Sequence, residues 1–326
     1  MKTIEAPKID RQIEVHLMGD WGWANLHRVC GWLGSQLMEF SAKGSKYAIW
    51  HTPYAAAETV FSVSNGDVDM AMSTPAHMVQ NALDGIGLYE GRQCDNLMSL
   101  GTMPQTDSLL FAVDAELGIR SFDDIREKKP ALHISTAPND GDNNIGFVVE
   151  KLLEVAEIPK EKIFEWGGSF VLANPPDQCA LAVREGRANV LFYEAIMTPY
   201  WRNLARDKPL SFLRYDDEVL KQLNDTYNWQ TNIVPAGYHV GQDQEIEAID
   251  WSDWLMMVRP EFDDDVAYLM AWAGCNTMEI IERQYRHLDP AISPLTYPLD
   301  PAKICQSAIR LHPGAARYYR DAGLID

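Results

Sequence analysis

The strongest constraint on this chain is a strand–helix alternation that starts at Ile13, breaks near Gly118 and begins again after Pro130. Residues 13–18 alternate and are short, which predicts a strand. A turn follows at Gly19-Asp20-Trp21-Gly22, and Leu26, Val29, Cys30, Leu33, Leu37 and Phe40 then recur at helical spacing. Residues 47–50 form the next apolar run, with a helix predicted from Tyr54 through Phe61 and a stop at Gly66-Asp67. Residues 68–72 give a third strand, and Ser73-Thr74-Pro75 opens another helix with proline at an early helical position. Short apolar runs alternating with amphipathic helices pack as parallel strands covered on both faces, so the chain is expected to be α/β.

Residues 97–100 and 109–113 predict two further strands, and 118–129 a polar connector. The pattern then restarts with a strand over 131–134 and a polar loop over 135–144. Ile145, Val148, Val149, Leu152 and Leu153 mark an amphipathic helix. A strand is predicted over 163–166, a helix over 177–187 and a strand over 188–192. The last third is different. Residues 251–258 are strand-like, 262–285 predict one long helix capped within Asp263-Asp264-Asp265, and two short helices close the chain. Nothing there starts a third unit, so the chain is expected to return to the first. The predicted architecture is two-lobed, with 1–115 and 246–326 in lobe 1 and 116–245 in lobe 2, and a hinged cleft. A length of 326 residues suits two domains of ordinary size.

Charge narrows the partners. The formal net charge is −19, which argues against nucleic acid and anionic membrane surfaces, because both need basic patches. No stretch reaches the roughly 18 apolar residues that span a bilayer, so membrane insertion is not expected. The start of the chain holds no apolar run of signal-peptide type. As it stands it reads as cytoplasmic, and as periplasmic if a leader has been removed. The five cysteines, Cys30, Cys94, Cys179, Cys275 and Cys305, lack metal-site spacing and read as reduced, mostly buried thiols.

Four segments together resemble the TAXI family of TRAP-transporter solute receptors. Leu311-His312-Pro313-Gly314 and the residues through Gly323 look like its C-terminal signature. The segment from Asn65-Gly66-Asp67 to Thr74 is similar to a family strand and the loop after it. The segment 180–192 resembles its helix–strand unit, with Asn189 in place of the usual aspartate, and Val234-Pro235-Ala236-Gly237-Tyr238 resembles a family turn. The resemblance implies a type II periplasmic-binding-protein fold. It also implies a receptor that captures a small, usually carboxylate-bearing solute and hands it to membrane permease subunits. The first loop departs from the family's glycine-rich form and carries Asp20, Trp21, Trp23, Asn25 and His27 instead.

In open parallel sheets, ligands sit beyond the carboxyl ends of the strands. That rule selects the candidates. Trp21 and Trp23 offer flat contact surface for a ring or an apolar ligand body, or else pack between helix and sheet. Asn25 is a ligand contact or a helix cap. Thr52 follows a strand, and Ser73 and Thr74 stand at a strand end that opens a helix, where hydroxyls and N–H groups suit an anion. Ser135 and Thr136 hold the equivalent place in the second lobe, with Asn143 and Asn144 opening the next helix. Asn174 is a loop contact or a cap, and Tyr193 and Glu194 end a strand and are expected to face the cleft.

His27, His51 and His77 also fall at or near strand ends, beside Asp20 and Glu194. No cofactor is required by this pattern, but three histidines with carboxylates could hold a divalent metal or act as acid and base. Two functions lead, ahead of a third in which a cytoplasmic sensor lobe reports a metabolite to a protein partner. One is a solute-binding protein for a small organic acid, aromatic ones included. The other is a cytoplasmic decarboxylase- or lyase-like enzyme on the same fold, with Asp20, His27, His51, His77 and Glu194 as the reacting groups.

Overall fold

The computed structural model describes residues 1–19, 25–52, 57–196 and 199–326. The chain divides into two compact units, Met1–Thr106 with Ser252–Asp326, and Asp107–Trp251. It passes out of the first unit once and returns once. Each unit is α/β with its own mixed sheet.

The first unit begins with β1 (Glu14–Gly19), α1 (Asn25–Phe40), β2 (Lys46–His51), α2 (Glu58–Asn65), β3 (Met70–Ser73), α3 (Val79–Asp84) and β4 (Met98–Met103). β1 pairs in parallel with β2 and β3, as the alternation predicts. The apolar positions of α1 explain its place: Leu26, Val29, Cys30, Leu33 and Leu37 are all buried. α2 stops where Gly66 adopts φ 85°, a left-handed cap that an L side chain resists.

The second unit runs through β5 (Ser108–Asp114), α4 (Phe122–Lys128), β6 (His133–Thr136), α5 (Asn144–Val155), α6 (Lys160–Glu165), β7 (Ser169–Leu172), α7 (Pro176–Arg184), β8 (Val190–Glu194) and α8 (Pro199–Asp207). It closes with β9 (Leu210–Phe212), α9 (Asp217–Tyr227), β10 (Thr231–Val234) and β11 (Ile246–Asp250). The sheet order is β10-β11-β5-β8-β6-β7, with β9 pairing β5. β5 and β11 belong to this unit because they ladder with β8 and β10.

The chain then returns with β12 (Trp254–Val258), α10 (Asp264–Asn276), α11 (Met278–Glu282), α12 (Pro301–Ile304) and α13 (Pro313–Asp321). β12 inserts antiparallel between β3 and β4, completing the order β2-β1-β3-β12-β4. All five of its residues are buried, as a central strand requires.

Three expectations change. Residues 163–166 are not a strand: Pro159 caps α6 there, and the strand is β7, further on. The long helix over 262–285 is two helices, α10 and α11, broken at Thr277. β11 was hidden by its acidic flank, Asp243 to Glu245, and by Glu247 on its exposed side. The His312-Pro313-Gly314 turn is a helix cap, in which the Gly314 N–H donates to His312 Nδ1 at 3.2 Å. All five cysteines are buried thiols, none of them in a disulfide.

Candidate functional site

In the first unit, three parallel strands end side by side. Gly19 at the end of β1 is in register with His51 of β2 and Met72 of β3. The segments after these strands therefore leave one end of the sheet together, and the Thr52 N–H donates to Gly19 O at 3.3 Å. Thr52, Ser73, Thr74 and His77 are all buried there. His77 sits in the short 3-10 turn Ala76–Met78. That turn is held by the Ala76 N–H, which reaches Ser252 O and Asp253 O on the returning chain.

His27 is not in the loop but within the first turn of α1, its ring centroid 6.2 Å from that of His51 and nearly perpendicular to it. Its Nδ1 is buried without a hydrogen-bond partner among the described residues. Burial, and secondarily the neighbouring His51, lower its pKa below the ordinary imidazole value. Asn25 opens α1, and its Oδ1 accepts a hydrogen bond from the Tyr285 hydroxyl at 2.7 Å. Asp20, Trp21 and Trp23 lie outside the described residues.

The second unit repeats the arrangement. Thr136 ends β6 in register with Leu172 of β7, and Ser135 is in register with Leu191 of β8. Ser135 and Thr136 are fully buried. The Ser135 hydroxyl donates to Val171 O at 3.3 Å, while Thr136 Oγ1 has no partner among the described residues. Thr136 also lines a cavity of about 180 Å³ whose other walls include Val149, Phe170 and Leu172.

Asn143 caps α5: its Oδ1 accepts from the N–H groups of Ile145 and Gly146 at 2.9 and 3.2 Å. Its Nδ2 donates to Asn174 Oδ1 at 3.3 Å, which joins two candidate loops of this unit. Asn144 is the first helical residue and is buried. The loop before α5 lies so close to the helix that a Cβ on Gly146 would stand 1.9 Å from Pro138 O.

Tyr193 and Glu194 are buried within the second unit. The Tyr193 hydroxyl donates to Asn174 O, and burial raises its pKa well above that of a free phenol. Glu194 Oε1 accepts from Trp251 Nε1 at 3.0 Å.

The same sheet end carries a network that sequence reading missed. Asp107 Oδ1 accepts from the N–H groups of Ser108, Ala195 and Ile196 at 2.7, 3.2 and 2.9 Å. Asn232 Nδ2 donates to Asp107 O and to Asp250 Oδ1, and the Ser108 hydroxyl donates to Asn232 Oδ1. No spacing rule links positions 107, 194, 232 and 250. Among the described residues, no three His, Cys, Asp or Glu side chains gather as a metal site.

A protein-family model, the NMT1-like family, matches residues 35–323. The chain belongs to the NMT1-like family. A comparison with curated proteins returned no match. Solved structures similar to this NMT1-like chain include one described as a periplasmic transporter, at 9% identity and TM-score 0.47, covering 95% of this chain and 94% of the other. Another is PhnD1 from Prochlorococcus marinus in complex with methylphosphonate, at 10% identity and TM-score 0.49, covering 96% and 99%. A third is a TctC solute binding protein from Polaromonas, at 11% identity and TM-score 0.47, covering 83% and 85%. Among the described residues, the NMT1-like chain has no helix long and apolar enough to cross a membrane.

Proposed function

We propose that this NMT1-like chain captures a small organic solute bearing a carboxylate, aromatic acids included, and delivers it to a membrane permease. The observation that carries this reading is the set of buried polar side chains at the carboxyl ends of parallel strands in each unit. They are Thr52, Ser73, Thr74 and His77 in the first, and Ser135, Thr136, Asn143 and Asn144 in the second. Ligands of open α/β sheets sit beyond the carboxyl ends of the strands, so polar side chains gathered there fit solute recognition. Thr136 Oγ1, buried and without a partner among the described residues, is the group most suited to a solute oxygen. The TAXI-like segments support the receptor role and its permease partner.

Isothermal titration against a panel of organic acids tests the proposal. The expected result is retention of one acid unchanged, with affinity reduced about tenfold in Thr136→Val, the loss of roughly one hydrogen bond. Undiminished affinity in Thr136→Val and Thr74→Val for every acid bound would refute it.

One observation favours a second reading, a lyase-like enzyme. His27, held neutral by its surroundings beside His51, is suited to take a proton. Product formation from the bound acid that disappears in His27→Gln would favour catalysis; an acid recovered intact excludes it.

A further inference from the structure

Past the end of β8, the second unit holds a further cavity of about 320 Å³ that none of the proposed solute contacts lines. Its walls are α8, which supplies Arg202 and Arg206, and the β10–β11 connection, which supplies Tyr238, His239, Gln242 and Asp243. Arg202 and Arg206 are four residues apart on one helix, so they share a face.

His239 is the buried group in this lining, only 2% exposed. It stacks on Phe212 at 5.2 Å and 3°, lies 6.0 Å from Trp201, and meets Tyr238 edge-on. Gln242 Oε1 has no hydrogen-bond partner among the described residues, and the His239 ring nitrogens make no well-aligned hydrogen bond there, the Ala195 backbone being the nearest polar group to act on the ring. A buried polar atom left unbonded costs about 1–3 kcal/mol, so Gln242 Oε1 and the poorly bonded His239 ring at this cavity favour an occupant.

The cations identify its charge. Among the described residues no ion pair engages Arg202 or Arg206, although the chain carries a net charge of −19. Asp207, next to Arg206, is bound by Arg184 at 3.0 Å. Arg202 donates to the Tyr238 hydroxyl at 3.2 Å, and that hydroxyl donates to Ile196 O at 3.3 Å, which orients the guanidinium. Asp243 is exposed and is the one carboxylate in the lining.

We propose that this cavity is an anion site separate from the solute site, taking a compact oxyanion, a carboxylate or a phosphate group, between the two guanidiniums and the His239 ring. The guanidiniums supply charge-assisted hydrogen bonds, and the imidazole donates one more from whichever nitrogen carries its proton. Burial chiefly, with the Arg202 charge as a smaller cause, lowers the His239 pKa to about 4. An anion beside the ring opposes both effects and raises that value. Arg206, the Tyr238 phenol and the Asp243 carboxylate line the same cavity, and the Asp107 charge reaches the phenol.

The test uses the full chain at low ionic strength, titrated separately with inorganic phosphate and acetate, with chloride as the matched control. Calorimetry reads affinity, and the His239 ring resonances read its titration. Phosphate or acetate is expected to bind and to raise the His239 midpoint above about 4; which of the two binds more tightly identifies the head group. Affinity is expected to fall about tenfold in Arg206→Gln, further in the double variant R202Q/R206Q, and to rise in Asp243→Asn. Thr136→Val leaves this response unchanged, which separates it from the solute site. Equal affinity in R202Q/R206Q, an equal response to chloride, or an unmoved His239 resonance overturns the proposal and leaves the cavity to water.

Discussion

Two glycines in helices should respond to alanine with opposite signs. Alanine is favoured over glycine in a helix by about 1 kcal/mol, so each substitution begins with the same gain. At Gly31, in α1, the added Cβ would meet only Ile49 Cδ1, at 3.8 Å, which is ordinary contact. At Gly146, in α5, it would stand 1.9 Å from Pro138 O, 2.2 Å from Pro138 C and 2.6 Å from Asn139 N. Carbon atoms in contact sit at about 3.5–4 Å, so the loop would have to retreat by roughly 1.5 Å. The obstructing atoms are backbone and cannot rotate away. Overpacking of this kind costs about 1–3 kcal/mol, and the upper end applies. The shift also strains the Asn143 cap, which holds the Gly146 N–H at 3.2 Å. Gly31→Ala is therefore expected to stabilise by about 0.5–1 kcal/mol, and Gly146→Ala to destabilise by about 2 kcal/mol net. Urea unfolding followed by tryptophan fluorescence gives the midpoints, and amide exchange over 145–149 shows whether the loss is local. A Gly146→Ala midpoint at or above that of the parent chain would refute the close approach of loop and helix.

Three further outcomes follow from the same contacts. Because the folded pKa of His239, about 4, lies below the unfolded value, its contribution to stability is present at neutral pH and is lost as pH falls from about 6.5 to about 4. Without phosphate, the stability difference between the parent chain and His239→Phe should shift against the parent by up to about 3 kcal/mol over that range, and a constant difference counts against the buried neutral ring. Asn143→Ala should lose about 1 kcal/mol in urea unfolding, with Asn143→Ser recovering part of it, since an acceptor at this position is what caps α5; equal losses in both would point elsewhere. Burial holds the Cys179 and Cys275 thiols near pKa 12, so a thiol reagent at pH 8 should label neither in the folded chain and both after unfolding.

What the sequence made legible follows the range of the forces involved. The burial of Leu26, Val29, Cys30 and Leu33 follows from helical spacing alone, and β1, β2 and β3 from short apolar runs. The segment around Ile163 was ambiguous because a short apolar run suits either state, and Pro159 at the helix start decided it. β12 was seen as apolar, but its antiparallel place between β3 and β4 depends on partners far away in sequence. The site divides in the same way. The convergence of Gly19, His51 and Ser73 followed from the strand-end rule, as did that of Thr136 and its neighbours. The burial of Glu194 did not, because its partner Trp251 lies 57 residues further on.

The strand order of the first unit also bears on how the protein is made. Among the described residues, β4 has no strand partner in its sheet except β12, and β3 has one edge open until β12 fills it. Both wait for residues 254–258, which the ribosome adds only after all of Asp107–Trp251. Domains ordinarily fold in the order of their synthesis, the amino-terminal one first. Here the segment able to complete its sheet first is the middle of the chain, while the N-terminal strands remain an unfinished, apolar sheet edge. During translation that edge, with Met70, Ala71 and Met72, is the surface a chaperone would have to shield.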